Sequence, residues 1–296
     1  MSLISNLPKI KGKYSKNADV GKMCWFKTSG IAEVLFIPQD IEDLEYFLLN
    51  KSNDLPIYVM GAGSNLLIRD RGINGVIIRL GAGFNYIQHK GNNIIAGSAC
   101  LDLNVANYAA KNSITGLEFL AGIPGSIGGA LAMNAGAYNN DISSILVEVK
   151  AINILSGGIK IFQNQEIGYF YRGKKLSDDW IFYEAKLRGK KGNKTEILNT
   201  IANIQKQRLS TQPVKSRTGG STFKNPINHK AWELIDRCGL RGMKYGDAQF
   251  SELHCNFLVN EGNAKASDIE FLIKLAKQRV KEKFSIDLEE EIKIMP

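Results

Sequence analysis

Ser221 stands in Gly219-Gly220-Ser221-Thr222-Phe223-Lys224-Asn225-Pro226, directly after two glycines that can leave its hydroxyl exposed. Phe223 sits where a GxSxG nucleophile elbow needs its last glycine, and no histidine lies nearby in sequence to activate the serine. A hydrolase is therefore disfavoured. A serine that only donates a proton needs position more than basicity. Tyr171-Arg172 and the acidic run Glu289-Glu290-Glu291 are the charged groups that could join such chemistry. An arginine beside a developing carboxylate or enolate stabilises negative charge, and both segments also fit a solvated charged face. If the tail is extended with Leu288 and Ile292 inward, Glu290 shares their face while Glu289 and Glu291 point the other way.

Two glycine-rich segments could hold a cofactor. In the first, the apolar run Tyr58-Val59-Met60 enters Gly61-Ala62-Gly63-Ser64-Asn65. Glycines let successive backbone N–H groups converge into a nest for phosphate oxygens, with Ser64 and Asn65 adding side-chain donors. Leu66 stands where a GxGxxG fingerprint needs its third glycine, and the Walker lysine is missing, so neither nucleotide motif applies. A tight structural turn explains the segment equally well. The second is Ala121-Gly122-Ile123-Pro124-Gly125-Ser126-Ile127-Gly128-Gly129-Ala130, followed by Asn134 and Gly136. Backbone this bare admits something flat or charged at close range, such as a dinucleotide, or else close loop packing. Two such loops on one chain favour the cofactor.

Several elements must position these groups. Asp40–Leu49 carries Ile41, Leu44, Phe47 and Leu48 on one helical face. Pro56–Met60, Gly75–Leu80 and Asn93–Ala96 read as short strands, Asp102–Lys111 as a helix, and Val147–Leu155 and Trp180–Leu187 as strands. Beyond about residue 190 helices dominate. Lys194–Leu209 is helical through Ile197, Ile201 and Ile204, and Ala231–Cys238 is stopped by Gly239. Ser267 and Glu270 read as a capping box opening a long helix with Ile269, Leu272, Ile273, Ala276, Val280 and Phe284 on its apolar face. Ile286–Ile294 reads as a strand. The expected division is an N-terminal α/β part over residues 1–54, a middle α+β domain over 55–190 and a C-terminal α/β domain over 191–296.

Composition narrows the class. The chain has 296 residues, 44% apolar and 23% charged, which excludes global disorder, collagen and a disulfide scaffold. A net charge of +9 attracts polyanions, whether nucleic acid, anionic lipid or phosphorylated small molecules. There is no zinc-ligand spacing, aromatic RNA motif or dominant cationic stripe, so a nucleic-acid partner is not expected. Four dispersed cysteines and three histidines argue against a metal site and fit a reducing compartment. The N-terminus lacks a secretory h-region. Phe119–Tyr138 is uncharged, but its five glycines and one proline leave too little hydrocarbon for a membrane span.

Taken in order along the chain, the segments Gly61–Leu67, Gly116–Gly129, Tyr171-Arg172, Gly220–Pro226, His254-Cys255-Asn256-Phe257 with Asn260, and Leu288–Ile292 resemble the UDP-N-acetylenolpyruvoylglucosamine reductases of bacterial peptidoglycan synthesis. The resemblance implies an α+β, three-part chain. Residues 1–54 would be an N-terminal part of the FAD-binding region and 55–190 an FAD-binding domain of the vanillyl-alcohol-oxidase-like type. Residues 191–296 would bind the UDP-sugar, with the last strand returning to the active site. The length fits the shorter, type II branch, which lacks an extra substrate-closing loop. The implied cofactor is non-covalent FAD and the co-substrate NADPH, with hydride passing through flavin N5 to the enolpyruvyl group. Catalytic roles fall on Arg172, Ser221 (the proton donor) and Glu291. Cofactor contacts fall on Gly61, Ala62, Gly63, Ser64, Asn65, Gly122, Ile123, Gly128, Gly129, Ala130 and Arg208. Tyr171, Asn225 and Lys293 would touch substrate. Many relatives carry arginine at Lys293, whose planar fork a lysine lacks. A cytoplasmic monomer without membrane or nucleic-acid partners is implied. The nearest alternative is an FAD-dependent oxidase or dehydrogenase of the same fold acting on another substrate. No histidine lies in either glycine loop for the covalent tether such enzymes often use.

Overall fold

A computed structural model describes residues 3–296. The chain forms two compact units, each discontinuous in sequence. The first contains residues up to Lys16, Val34–Ala62 and Gly75–Lys206; the second contains Asn17–Glu33, Gly63–Asn74 and Gln207–Pro296.

The first unit is built around two sheets. Within this unit the four-stranded sheet has the order 13–16, 34–37, 75–79, Ile57–Met60. Its last two strands are parallel, from Ile57 opposite Val76 to Met60 opposite Arg79. The helix Ile41–Asn50 follows the second strand. Asp40 caps it by accepting from Asp43 N–H at 2.8 Å, and Leu44, Phe47 and Leu48 are buried as the spacing predicts. Asp43 is itself buried, and its carboxylate accepts from Lys11, Gly12 and Gln39 N–H, which pins the N-terminal segment. The five-stranded sheet is antiparallel, in the order Ile159–Gln163, Leu146–Asn153, Trp180–Arg188, Asn93–Gly97, Ile87–Lys90. Its core is shared with the helices Asp102–Lys111 and Ile127–Met133, and with Ile197, Ile201 and Ile204 of the helix Lys194–Thr211.

The second unit has a four-stranded antiparallel sheet in the order Arg217–Ser221, Phe257–Asn260, Ala248–Phe250, Lys244–Tyr245. The helices Ala231–Arg237 and Ala266–Phe284 share its core. The long helix buries Ile269, Leu272, Ile273, Ala276 and Val280, and each of these side chains larger than alanine contributes roughly 1.5–3 kcal/mol. Two sequence expectations are corrected here. Ser267 is not the N-cap, because the helix starts at Ala266. The carboxylate of Asp70 accepts from the N–H groups of Ala266 and Ser267 at 2.8 and 3.1 Å, and Asp268 accepts from Lys265 N–H. The tail is not a strand from Ile286 to Ile294. Glu290 makes a single bridge to Phe223, and only Lys293–Met295 forms a ladder, parallel to Leu66–Ile68.

Candidate active site

In the first unit the strand Ile57–Met60 ends at Gly61, which lies against the second glycine segment. A Cβ at Gly61 would stand 2.7 Å from Ser126 Oγ. A Cβ at Gly128 would stand 2.9 Å from Ser98 Cβ, and one at Gly122 would stand 2.6 Å from the Tyr138 ring. Backbone bonds lace the same region: Gly128 N–H donates to Ser98 O and Ile127 N–H to Cys100 O, both at 2.9 Å. Ile123 and Ala130 are buried, whereas Gly61, Ala62, Gly122, Gly128 and Gly129 keep partial exposure. Close approach of bare backbone is therefore real at these positions.

The hydroxyls of Ser98 and Ser126 are buried and have no hydrogen-bond partner among the described residues. A buried hydroxyl left unmade costs about 1–3 kcal/mol. Unspent neutral donors beside bare backbone fit a pyrophosphate group, so this cradle suits a dinucleotide such as FAD. Asp102, fully buried at the start of its helix with no partner for either carboxylate oxygen, adds no opposing charge. Burial pushes its carboxyl well above the usual range and favours the protonated form.

Tyr171 and Arg172 form the turn of a hairpin that pairs Tyr169–Phe170 with Gly173–Lys174. Arg172 adopts φ 55°, a left-handed conformation costing on the order of 1–3 kcal/mol in a non-glycine residue. Its Nη2 donates to Gly136 O at 2.8 Å, and its guanidinium lies 5.2 Å from the centre of the Tyr171 ring. Asn134, buried and also left-handed, donates through Nδ2 to Phe170 O and accepts from Ser143 N–H. The segment carrying Arg172 is thus braced by the end of the second glycine segment. Reading the sequence assigned Asn134 no role; its only signal was its position four residues after Ala130.

In the second unit Gly63 has φ 72°, and a Cβ there would stand 2.9 Å from Cys24 Cα. Ser64 follows, half-buried. Asn65 is tied to the tail: its Nδ2 donates to Glu291 O, and its carbonyl accepts from Lys293 N–H, both at 2.9 Å. Ser221 pairs with Phe257 beyond an irregularity in register at Gly219-Gly220, where Gly220 has φ 81°. Glu291 N–H donates to Thr222 O at 2.8 Å, and Lys224 N–H to Glu289 O at 2.9 Å. The hydroxyl residue and the glutamate therefore sit on adjoining backbone. Glu289 and Glu290 pair with Lys224 and Lys277 respectively. Asn225 Oδ1 accepts from Ala231 N–H, Arg208 Nε donates to Gln212, and Lys293 is exposed. His254 Nδ1 accepts from Asn256 N–H, and burial holds its imidazole below the usual range.

Residues 32–161 match the family described as FAD binding domain. With the glycine cradle, that match makes the chain an FAD-binding protein. Residues 212–295 match the family described as UDP-N-acetylenolpyruvoylglucosamine reductase, C-terminal domain. The chain is 48% identical over 290 residues to the UDP-N-acetylenolpyruvoylglucosamine reductase of Rickettsia typhi, covering 98% of each chain. It is 45% identical over 294 residues to that of Wolbachia sp. subsp. Drosophila simulans, covering 99% of each. The crystal structure of the Thermus caldophilus reductase superposes with a TM-score of 0.84 at 32% identity, covering 97% of this chain and 100% of that one. The chain belongs to the UDP-N-acetylenolpyruvoylglucosamine reductase family.

Proposed function

We propose that the protein reduces the enolpyruvyl ether of UDP-N-acetylglucosamine to UDP-N-acetylmuramate with NADPH, a step of peptidoglycan synthesis. Residues 55–190 are assigned FAD and residues 191–296 the UDP-sugar. FAD held there would supply hydride chemistry between NADPH and the β-carbon of the enolpyruvyl group. The backbone of Gly61, Ala62, Gly63, Gly122, Ile123, Gly128, Gly129 and Ala130, with Ser64, Asn65 and Arg208, holds the cofactor without a covalent link.

Arg172 and Glu291 polarise the substrate carboxylate, and Arg172 stabilises the negative charge that gathers toward it. Ser221 donates its hydroxyl proton to the α-carbon, so hydride and proton together saturate the double bond and give a lactyl ether. Tyr171, Asn225 and Lys293 hold the substrate. The protein works as a cytoplasmic monomer on small molecules, without nucleic acid or membrane. The observation that carries this reading is the backbone link between the serine and glutamate segments, in which Thr222 O accepts from Glu291 N–H.

The test separates the half-reactions. Ser221→Ala should leave reduction of the flavin by NADPH within a few-fold of wild type. It should slow reoxidation by the enolpyruvyl sugar by on the order of 10²–10⁴, the usual loss for a general acid. Equal, small changes in both steps, followed by stopped-flow absorbance, would refute the assignment.

A further inference from the structure

We propose that Asn256 is a positioning residue that sets the Ser221 hydroxyl and the Glu291 backbone in register with each other. This rests on the reading of Ser221 and Glu291 given above. Asn256 is 4% exposed. Its Oδ1 accepts from Phe223 N–H at 3.0 Å, and its Nδ2 donates to Phe223 O at 2.8 Å. Its own carbonyl accepts from Thr222 N–H at 2.7 Å. One residue therefore satisfies both backbone groups of Phe223 and the N–H of Thr222, as a paired strand would.

The opposite edge of the same short segment holds the tail. Thr222 O accepts from Glu291 N–H, Lys224 N–H donates to Glu289 O, and Phe223 bridges Glu290. Residues 222–224 are thus fixed from two sides, with the Asn256 amide on one and residues 289–291 on the other. The ladder between Arg217–Ser221 and Phe257–Asn260 cannot do this alone, because its register shifts between Thr218 and Ser221. The glycines that free Ser221 also loosen it, and the amide restores its position. Asn256 itself is placed by its turn, where its N–H donates to His254 Nδ1 and Phe257 N–H donates to His254 O. The amide is needed for its geometry: an aspartate would set a carboxylate oxygen against the Phe223 carbonyl, and an alanine would leave two buried backbone groups unmade.

Asn256→Ala and Asn256→Asp should bind FAD with an unchanged visible spectrum and keep flavin reduction by NADPH within about threefold of wild type. Reoxidation by the enolpyruvyl sugar should slow by on the order of 10–10², the scale of a misplacement near 1 Å. The loss should appear in kcat rather than KM. A variant that merely loosens the fold would instead lower cofactor occupancy and slow both half-reactions together, and that result overturns the proposal. In wild-type protein, the Phe223 amide should exchange with deuterium as slowly as amides inside the strand Phe257–Asn260. Rapid exchange there overturns the proposal even if no variant folds. If wild-type enzyme fails to reoxidise with the sugar, the functional reading falls. If it turns over while the variants slow both steps equally, only the positioning role falls.

Discussion

At the scale of single residues, Asp102 is the unusual group. A carboxyl with no exposure and no partner is held protonated by burial, which raises its pKa above that of the unfolded chain. The sign of its linkage follows. Below the unfolded value, near 4, both states are protonated and nothing is lost. As pH rises toward the folded value, the unfolded chain releases the proton first, so stability falls. Asp102→Asn removes this titration while keeping size. The stability difference between Asp102→Asn and wild type should therefore shift progressively in favour of the variant between pH 5 and pH 8, read as urea midpoints of apoprotein. A difference that does not vary with pH would mean that Asp102 is ionised in the folded state, with a compensating group that the described residues do not supply.

At the scale of elements, the long helix Ala266–Phe284 depends on a residue far away in sequence. Asp70 takes the first two helical N–H groups, and a carboxylate at this end also complements the helix dipole. Asp70→Ala should cost about 1–2 kcal/mol and lower Tm by a few degrees, with Asp70→Asn intermediate; an unchanged Tm in calorimetry would show that Asp268 caps the helix alone. Periodicity located this helix and its buried stripe, but not its cap, because the carboxylate that accepts from its first N–H groups lies 196 residues away. The same limit applies to the tail. Alternation correctly turned Leu288 and Ile292 inward, yet which parts of Ile286–Ile294 pair depends on Phe223 and Leu66–Ile68, which local pattern cannot reveal. The glycine segments were legible because bare backbone is visible in sequence. The bonds of the Asn134 and Asn256 side chains to Phe170 O and Phe223 O were not, because a side-chain amide bonded to distant backbone leaves no periodic trace.

At the scale of the whole molecule, charge is the property that no single site explains. Lysine and arginine number 38 against 29 aspartates and glutamates. The proposed ligands FAD, NADPH and a UDP-sugar are all polyanions, so on that reading an excess of positive charge should raise the rate at which each is captured rather than the strength of any one contact. Such steering acts across the Debye length, which shrinks from about 30 Å at 0.01 M salt to about 10 Å at 0.1 M. The second-order rate of flavin reduction at low NADPH should therefore fall roughly tenfold or more between 0.01 and 0.5 M salt. The first-order rate at saturating NADPH concerns a complex already formed and should stay nearly flat over the same range. Stopped-flow traces at both concentration limits separate the two. If the saturated rate falls as steeply as the second-order rate, salt is acting on the chemistry or the fold, and the positive charge has no part in capture.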